Sequence, residues 1–264
     1  MEHFTRLVVF LVFLLISAAI PVTVAAAGPI AAPREYSAVY EVQRKGERVA
    51  NVTLELSRQD DTWSYRGFTH DMRGLGKLLH ARGEQVVTGT FQDGIFQPDE
   101  FRFSFSVVGF KSRWGANFDW PAGTVTVGKK SRMTTLPLAG GAMDPMSLFL
   151  NTGSLLSEGQ TQMAINVIDE DEIENHLYEA QPGILLNTPL GCLETTQVKR
   201  IRENSKRTSL AWYAPDFGYI PVQLHHFRKN DIGMQMKIIS LSINGQQIAL
   251  SDSCPVDTGT SISG

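Results

Sequence analysis

The chain has 264 residues, 42% of them hydrophobic and 19% charged, with a formal net charge of −3. That length holds one large β-rich domain or two small ones. The near-neutral balance gives neither the concentrated basic surface that nucleic acid requires nor a push toward anionic lipid.

Arg6 precedes an apolar run from Leu7 to Ile20, broken by Ser17, and Pro21 and the small residues Ala25-Ala26-Ala27-Gly28 follow. This pattern predicts a signal peptide over residues 1–27, cleaved after Ala27, and a periplasmic destination. A retained anchor would need about 20 apolar residues, and no cysteine lies near the cut for lipid attachment.

Residues 28–33 read as a flexible lead-in. Beyond them the apolar residues recur with period two, as in Val52, Leu54 and Leu56 or Phe101, Phe103, Phe105 and Val107. Strands are predicted over 36–44, 52–56, 62–68, 84–91, 101–107, 111–119, 124–127, 162–168, 193–201, 209–213, 219–227 and 235–243. Turn pairs such as Lys45-Gly46, Asp93-Gly94 and Asn244-Gly245 separate them closely, so neighbours in sequence pair into a meander.

One segment departs from this pattern. Asp144 suits a helix cap, Pro145 its first turn, and Met146, Leu148, Phe149 and Leu150 form an apolar stripe. A helix is predicted over 144–150, extending toward Leu156. The expected fold is all-β: a curled antiparallel meander or half-open β-barrel with one covering α-helix. One domain over residues 28–250 is expected, then a disordered polar tail over 251–264. Cys192 and Cys254 lie 62 positions apart. Pairing them would add about 4 kcal/mol in the chain-entropy treatment; a buried Cys192 and a free Cys254 is the alternative.

Several strings resemble sites without meeting their requirements. Leu210 to Phe227 reads as a hairpin around Ala214-Pro215-Asp216-Phe217-Gly218. His225 and His226 are consecutive on its returning strand, leave opposite faces and cannot share a metal. Asp257-Thr258-Gly259 near the end lacks the second carboxylate of an aspartic protease. Arg73-Gly74-Leu75-Gly76-Lys77 lacks the spacing and hydroxyl of a phosphate loop and reads as a glycine-relaxed connection between strands. Asp169-Glu170-Asp171-Glu172 lacks the ligand alternation of a calcium loop. No cofactor, metal or nucleotide is therefore expected, and no enzymatic motif appears.

The remaining signal is apolar. Phe101, Phe103 and Phe105 form a stripe, with Trp114, Trp120, Trp212 and Met146 on nearby elements. These seven are the candidate lining of an apolar cavity gated by the helix. The implied role is a non-enzymatic binding or chaperone-like protein that takes up a lipid chain or a lipid-modified partner in the cell envelope. Ordinary core packing with a surface-acting assembly role is the alternative. An envelope-polymer hydrolase built on His70, His80 and Asp119 is a second one.

Four stretches together, "FDWPAGTVTVG", "DPMSLFLNTGSLLSEGQ", "LNTPLGCLETTQVKRI" and "LAWYAPDFGYIPVQL", resemble the exported Gram-negative family catalogued as domain of unknown function 3108, over about Tyr36 to Leu241. The likeness is specific at Phe118-Asp119-Trp120, Asp144, Ser147, Gly191, Thr195, Trp212, Pro215, Gly218 and Pro221. It implies a periplasmic β-rich fold and no catalytic residues; the two cysteines are not part of it. A curled sheet lidded by a helix is also similar in shape to lipoprotein carriers, an analogy of fold alone.

Overall fold

The computed structural model describes residues 34–129, 132–138, 140–169, 172–202, 206–228, 231–250 and 253–255. The predicted signal peptide and the Asp257-Thr258-Gly259 string lie outside them, as do Glu170 and Asp171 of the acidic run. The first meander is β1 (Tyr36–Arg44), β2 (Glu47–Gln59), β3 (Thr62–His70), the one-turn helix α1 (Gly74–Leu78), β4 (Arg82–Gln92), β5 (Ile95–Val107), β6 (Phe110–Asp119), β7 (Thr124–Lys129) and β8 (Arg132–Pro137). Helix α2 (Ser147–Ser157) follows. The second meander is β9 (Gln162–Asp169), β10 (Glu172–Thr188), β11 (Gly191–Ile201), β12 (Arg207–Ala214), β13 (Ile220–Arg228) and β14 (Asp231–Ile243), with the short β15 (Gln246–Ile248) on β14.

All these strands belong to one antiparallel sheet. Within each meander every strand pairs with its sequence neighbours, and the ladder between β1 and β14 joins the two halves. Lys45-Gly46, Asp93-Gly94 and Asn244-Gly245 hold positive φ at both positions, which matches the tight turns the sheet twist favours. The sheet does not close: β8 and β9 are its two ends. Met143 covers part of the β9 end, taking an N–H bond to Asn166 O at 2.9 Å and accepting one from Ile168 N at 2.8 Å.

Helix α2 demonstrates the curl. Asn151 bonds the backbone of Phe96 in β5, while Gly153 lies so close to Tyr219, just before β13, that a Cβ there would stand 2.9 Å from Tyr219 O. β5 and β13 are six ladders apart, about 29 Å in a flat sheet at about 4.8 Å per strand. A helix about 10 Å across reaches both only because the sheet wraps around it. The all-β reading, the wrapped meander and the single covering helix stand as expected.

Some features differ from the sequence reading. Arg73 to Lys77 forms the start of α1, not a plain connection. β10, the longest strand, was not anticipated, because Pro182-Gly183 interrupts it; the pair sits in a bulge between Gln181 and Ile184, with Gly183 at φ +77°. Of the two readings left open for the cysteines, the structure shows the paired one, so Cys254 is held to Cys192.

Asp144 starts α2 as expected, though the regular helix begins at Ser147. Its Oδ1 accepts from Met146 N at 2.8 Å and Ser147 N at 3.1 Å. Oδ2 is buried without a partner, and burial holds the carboxyl above its ordinary value despite those two bonds. Protonation is therefore favoured by folding: the stabilisation is complete below the unfolded value of about 4 and is lost as pH rises through the folded value. Asp144→Asn keeps the amide-facing oxygen and removes the charge. Its thermal midpoint, compared with the parent, should rise on going from pH 4 to pH 7. Asp144→Ala should cost about 1–2 kcal/mol at both.

Candidate functional site

A partly open cavity of about 430 Å³ lies between α2 and the inner face of the second meander. The period-two pattern of β9 to β14 directs one side chain in two toward it. Its apolar wall is built from Met146, Leu148 and Phe149 at the helix and Ala211, Leu224 and Met236 on the sheet. Met146 reaches in because Gly67 of β3 leaves space beneath it; a Cβ on Gly67 would stand 3.2 Å from Met146 Cε. Tyr213 of β12 and Thr152 of the helix face each other across this lining.

One end of the cavity is polar and basic. Arg200 and Arg202 of the β11 edge stand there with His176 and Tyr178 of β10, Ser209 of β12 and His226 of β13. Among the described residues no aspartate or glutamate lines the cavity. Among the described residues these groups engage the half-exposed Glu174, whose Oε2 receives Arg200 Nη2 and meets His176 Nε2, each at 3.0 Å. The hydrogen bond from His176, then that from Arg200, holds Glu174 below the ordinary carboxylate range. Arg202 Nη1 donates to Ser209 Oγ at 3.3 Å, and Ser209 Oγ is 3.2 Å from His226 Nδ1.

The electrostatics there favour an incoming negative charge. Burial lowers the affinity of His176 and His226 for a proton, and the adjacent guanidinium groups lower it further. Burial, then the Arg200 charge, does the same to Arg202, and burial pushes the Tyr178 phenol up to about 12. Arg200 Nε is buried with no hydrogen-bond partner. Two guanidinium groups in one partly desolvated corner repel each other, and an anion placed between them would relieve that and satisfy the idle donor.

The structure divides the seven residues expected from sequence. Met146 lines this cavity. Phe101, Phe103 and Trp114 line a different groove, of about 710 Å³, beside Glu100, Arg102 and Arg113, and Phe101 is itself core, packed on Trp114 at 4.8 Å. Phe105 lies near Gly83 and Thr69. Trp120 donates to Pro98 O at 2.8 Å and stacks on Phe118. Trp212 is buried edge-on against His225. The aromatic stripe belongs to the first meander, whereas the cavity is lined mainly by α2 and the second meander and takes only Gln85 of β4 from the first. Arg200, Arg202 and His176 were missed. The available signal was two arginines in step with Val198, and a histidine in step with Tyr178, which period two puts on an apolar face.

Residues named for a hydrolase have separate partners. His70 meets Thr53 Oγ1 at 2.9 Å and Asp71 at 3.5 Å, Asp119 accepts from Ala122 N at 3.0 Å, and His80 sits in the turn after α1. Among the described residues no cluster of three or more histidine, cysteine, aspartate or glutamate side chains could hold a metal ion.

The family model described as "Protein of unknown function (DUF3108)" matches residues 36–237. No curated protein matches the chain. Among solved structures it is similar to a beta-barrel-like protein of domain of unknown function DUF1849 from Brucella abortus, at 15% identity and TM-score 0.49, over 80% of this chain and 98% of that one. It is also similar to a protein with a YmcC-like fold from Bacteroides fragilis, at 12% identity and TM-score 0.34, over 80% and 97%.

Proposed function

The chain belongs to the DUF3108 family, and we propose that it is an exported, non-enzymatic binding protein for a single-chain anionic amphiphile, such as a fatty acid or a lipid-derived acyl group. One observation carries this reading: the cavity is apolar along its length and basic at one end, with no acidic lining among the described residues. An acyl chain would lie against Met146, Phe149, Leu224 and Met236, and its head group would accept hydrogen bonds from Arg200 and Arg202. The volume of about 430 Å³ falls within the range of small-molecule sites, about 300–1,000 Å³. Methionine at both the helix and the sheet suits a chain of irregular shape.

A periplasmic location belongs to the same proposal. It is supported by the leader pattern before Ala27 and by the Cys192–Cys254 bond, since disulfides persist in oxidising compartments.

Palmitate titrated into the protein, with its methyl ester as the uncharged control, tests the assignment. Palmitate should bind and the ester should bind more weakly. Arg200→Ala and Arg202→Ala should each weaken palmitate about 10- to 100-fold, the loss of one charge-assisted hydrogen bond of about 1.5–3 kcal/mol. Mass spectrometry of organic extracts from gently purified protein should find a matching lipid. Equal affinity for acid and ester, or no effect of either substitution, would overturn the reading.

A further inference from the structure

At one end of the first meander, two loops carry apolar side chains that no element among the described residues covers. Helix α1 and the residue after it present Leu75, Leu78 and Leu79, exposed by 74, 70 and 42%, and the turn between β5 and β6 presents Val108 and Phe110, exposed by 66 and 58%. Val108 N–H donates to Leu79 O at 2.9 Å. That bond holds the two loops, and with them the five exposed side chains, side by side. Isolated exposed leucines are ordinary, but a contiguous group of this kind marks a contact site.

The charges around the patch identify what it contacts. Arg73, Lys77, Arg82, Lys111 and Arg113 are all exposed beside it. The one acid in residues 71–82 and 107–113 is Asp71, which is engaged by Asn51 Nδ2 at 3.2 Å and by His70 Nδ1 at 3.5 Å. The chain as a whole carries −3, so its near-neutral balance conceals a strongly basic tip. Five side chains cover roughly a few hundred Å², short of the about 800 Å² per partner of a stable protein interface. Leucine and phenylalanine ringed by lysine and arginine is instead the composition that seats in the head-group region of an anionic bilayer. The apolar tips enter the acyl boundary while the basic heads stay among the phosphates.

We propose that α1 and the β5–β6 turn form a membrane-docking tip that seats the protein reversibly on an anionic lipid surface. It stands independently of the cavity assignment, and the two can fail separately. In co-sedimentation, the protein should bind mixed phosphatidylcholine and phosphatidylglycerol vesicles, and bind pure phosphatidylcholine at least ten-fold more weakly. Salt at about 1 M, where the screening length is about 3 Å, should release it. Lys77→Glu with Lys111→Glu, or Leu78→Asp with Phe110→Asp, should each reduce vesicle binding at least ten-fold. These positions are exposed, so the melting temperature and the palmitate affinity should match the parent. Phe110→Trp should retain binding and shift its emission to the blue on the mixed vesicles. Equal binding to neutral vesicles, no binding at low salt, or concentration-dependent self-association lost in the same variants would overturn the proposal.

Discussion

Reducing the Cys192–Cys254 bond should lower stability by about 4 kcal/mol, the chain-entropy value for a loop this long. The bond spans 62 positions and fastens the segment after β15 to the start of β11. Two hydrogen bonds run alongside it: Leu250 N donates to Leu190 O at 2.8 Å, and Cys254 N to Asn187 Oδ1 at 2.9 Å. Domains are stable by only about 5–15 kcal/mol, so this one bond is a large share of the total. Cys192→Ser and Cys254→Ser should give equal losses in urea titrations, the double substitution should add nothing, and reductant should have no effect on any of the three. A shift below about 1 kcal/mol would show that the reduced unfolded chain is already restrained there.

The second large effect should come from Asn151. It is 2% exposed, in the middle of α2. Its Oδ1 accepts from Phe96 N at 2.9 Å, and its Nδ2 donates to Phe96 O at 2.9 Å and Ser147 O at 3.1 Å. The carboxamide thus acts as a one-residue strand that pairs with β5 and pins the helix to the first meander. Asn151→Ala would leave both polar groups of the fully buried Phe96 backbone without partners, at about 1–3 kcal/mol each. We expect a loss of about 2–4 kcal/mol in denaturant titrations. Because α2 also walls the cavity, palmitate affinity should fall in the same variant. An intact affinity would show that the helix stays in place without this bond.

The parts of the fold that could be read from sequence are those where one physical signal dominates. β1 was found to the residue because Tyr36, Ala38, Tyr40 and Val42 recur with period two and are buried, while Ser37, Val39, Glu41 and Gln43 between them are only partly so. β10 was missed because a Pro-Gly pair looks like an end of structure, while here it is a bulge with the ladder resuming at Ile184. β8 was missed because an exposed terminal strand has no face to bury and so shows no alternation. The site was legible only in kind. Composition suggested an apolar hollow beneath a helix, and the aromatic residues drew attention to the first meander. The cavity is set by how far the sheet wraps, which brings Gln85 of β4 to the same space as Met236 of β14. No local pattern encodes that distance. Asn151 is similarly silent, since the strand residue it pairs with, Phe96, lies 55 positions away.

The ladder between β1 and β14 has a consequence for how the protein is made. It is the one ladder among the described residues that connects the halves of the sheet, and it pairs residues roughly 200 positions apart. During synthesis β1 emerges first and β14 near the end, so the early half waits with a naked row of backbone donors and acceptors along Tyr36–Arg44. Contacts this distant in sequence make folding slow, and such an edge invites strands from other molecules. The nascent chain therefore depends on being held apart from its copies until its last strands arrive.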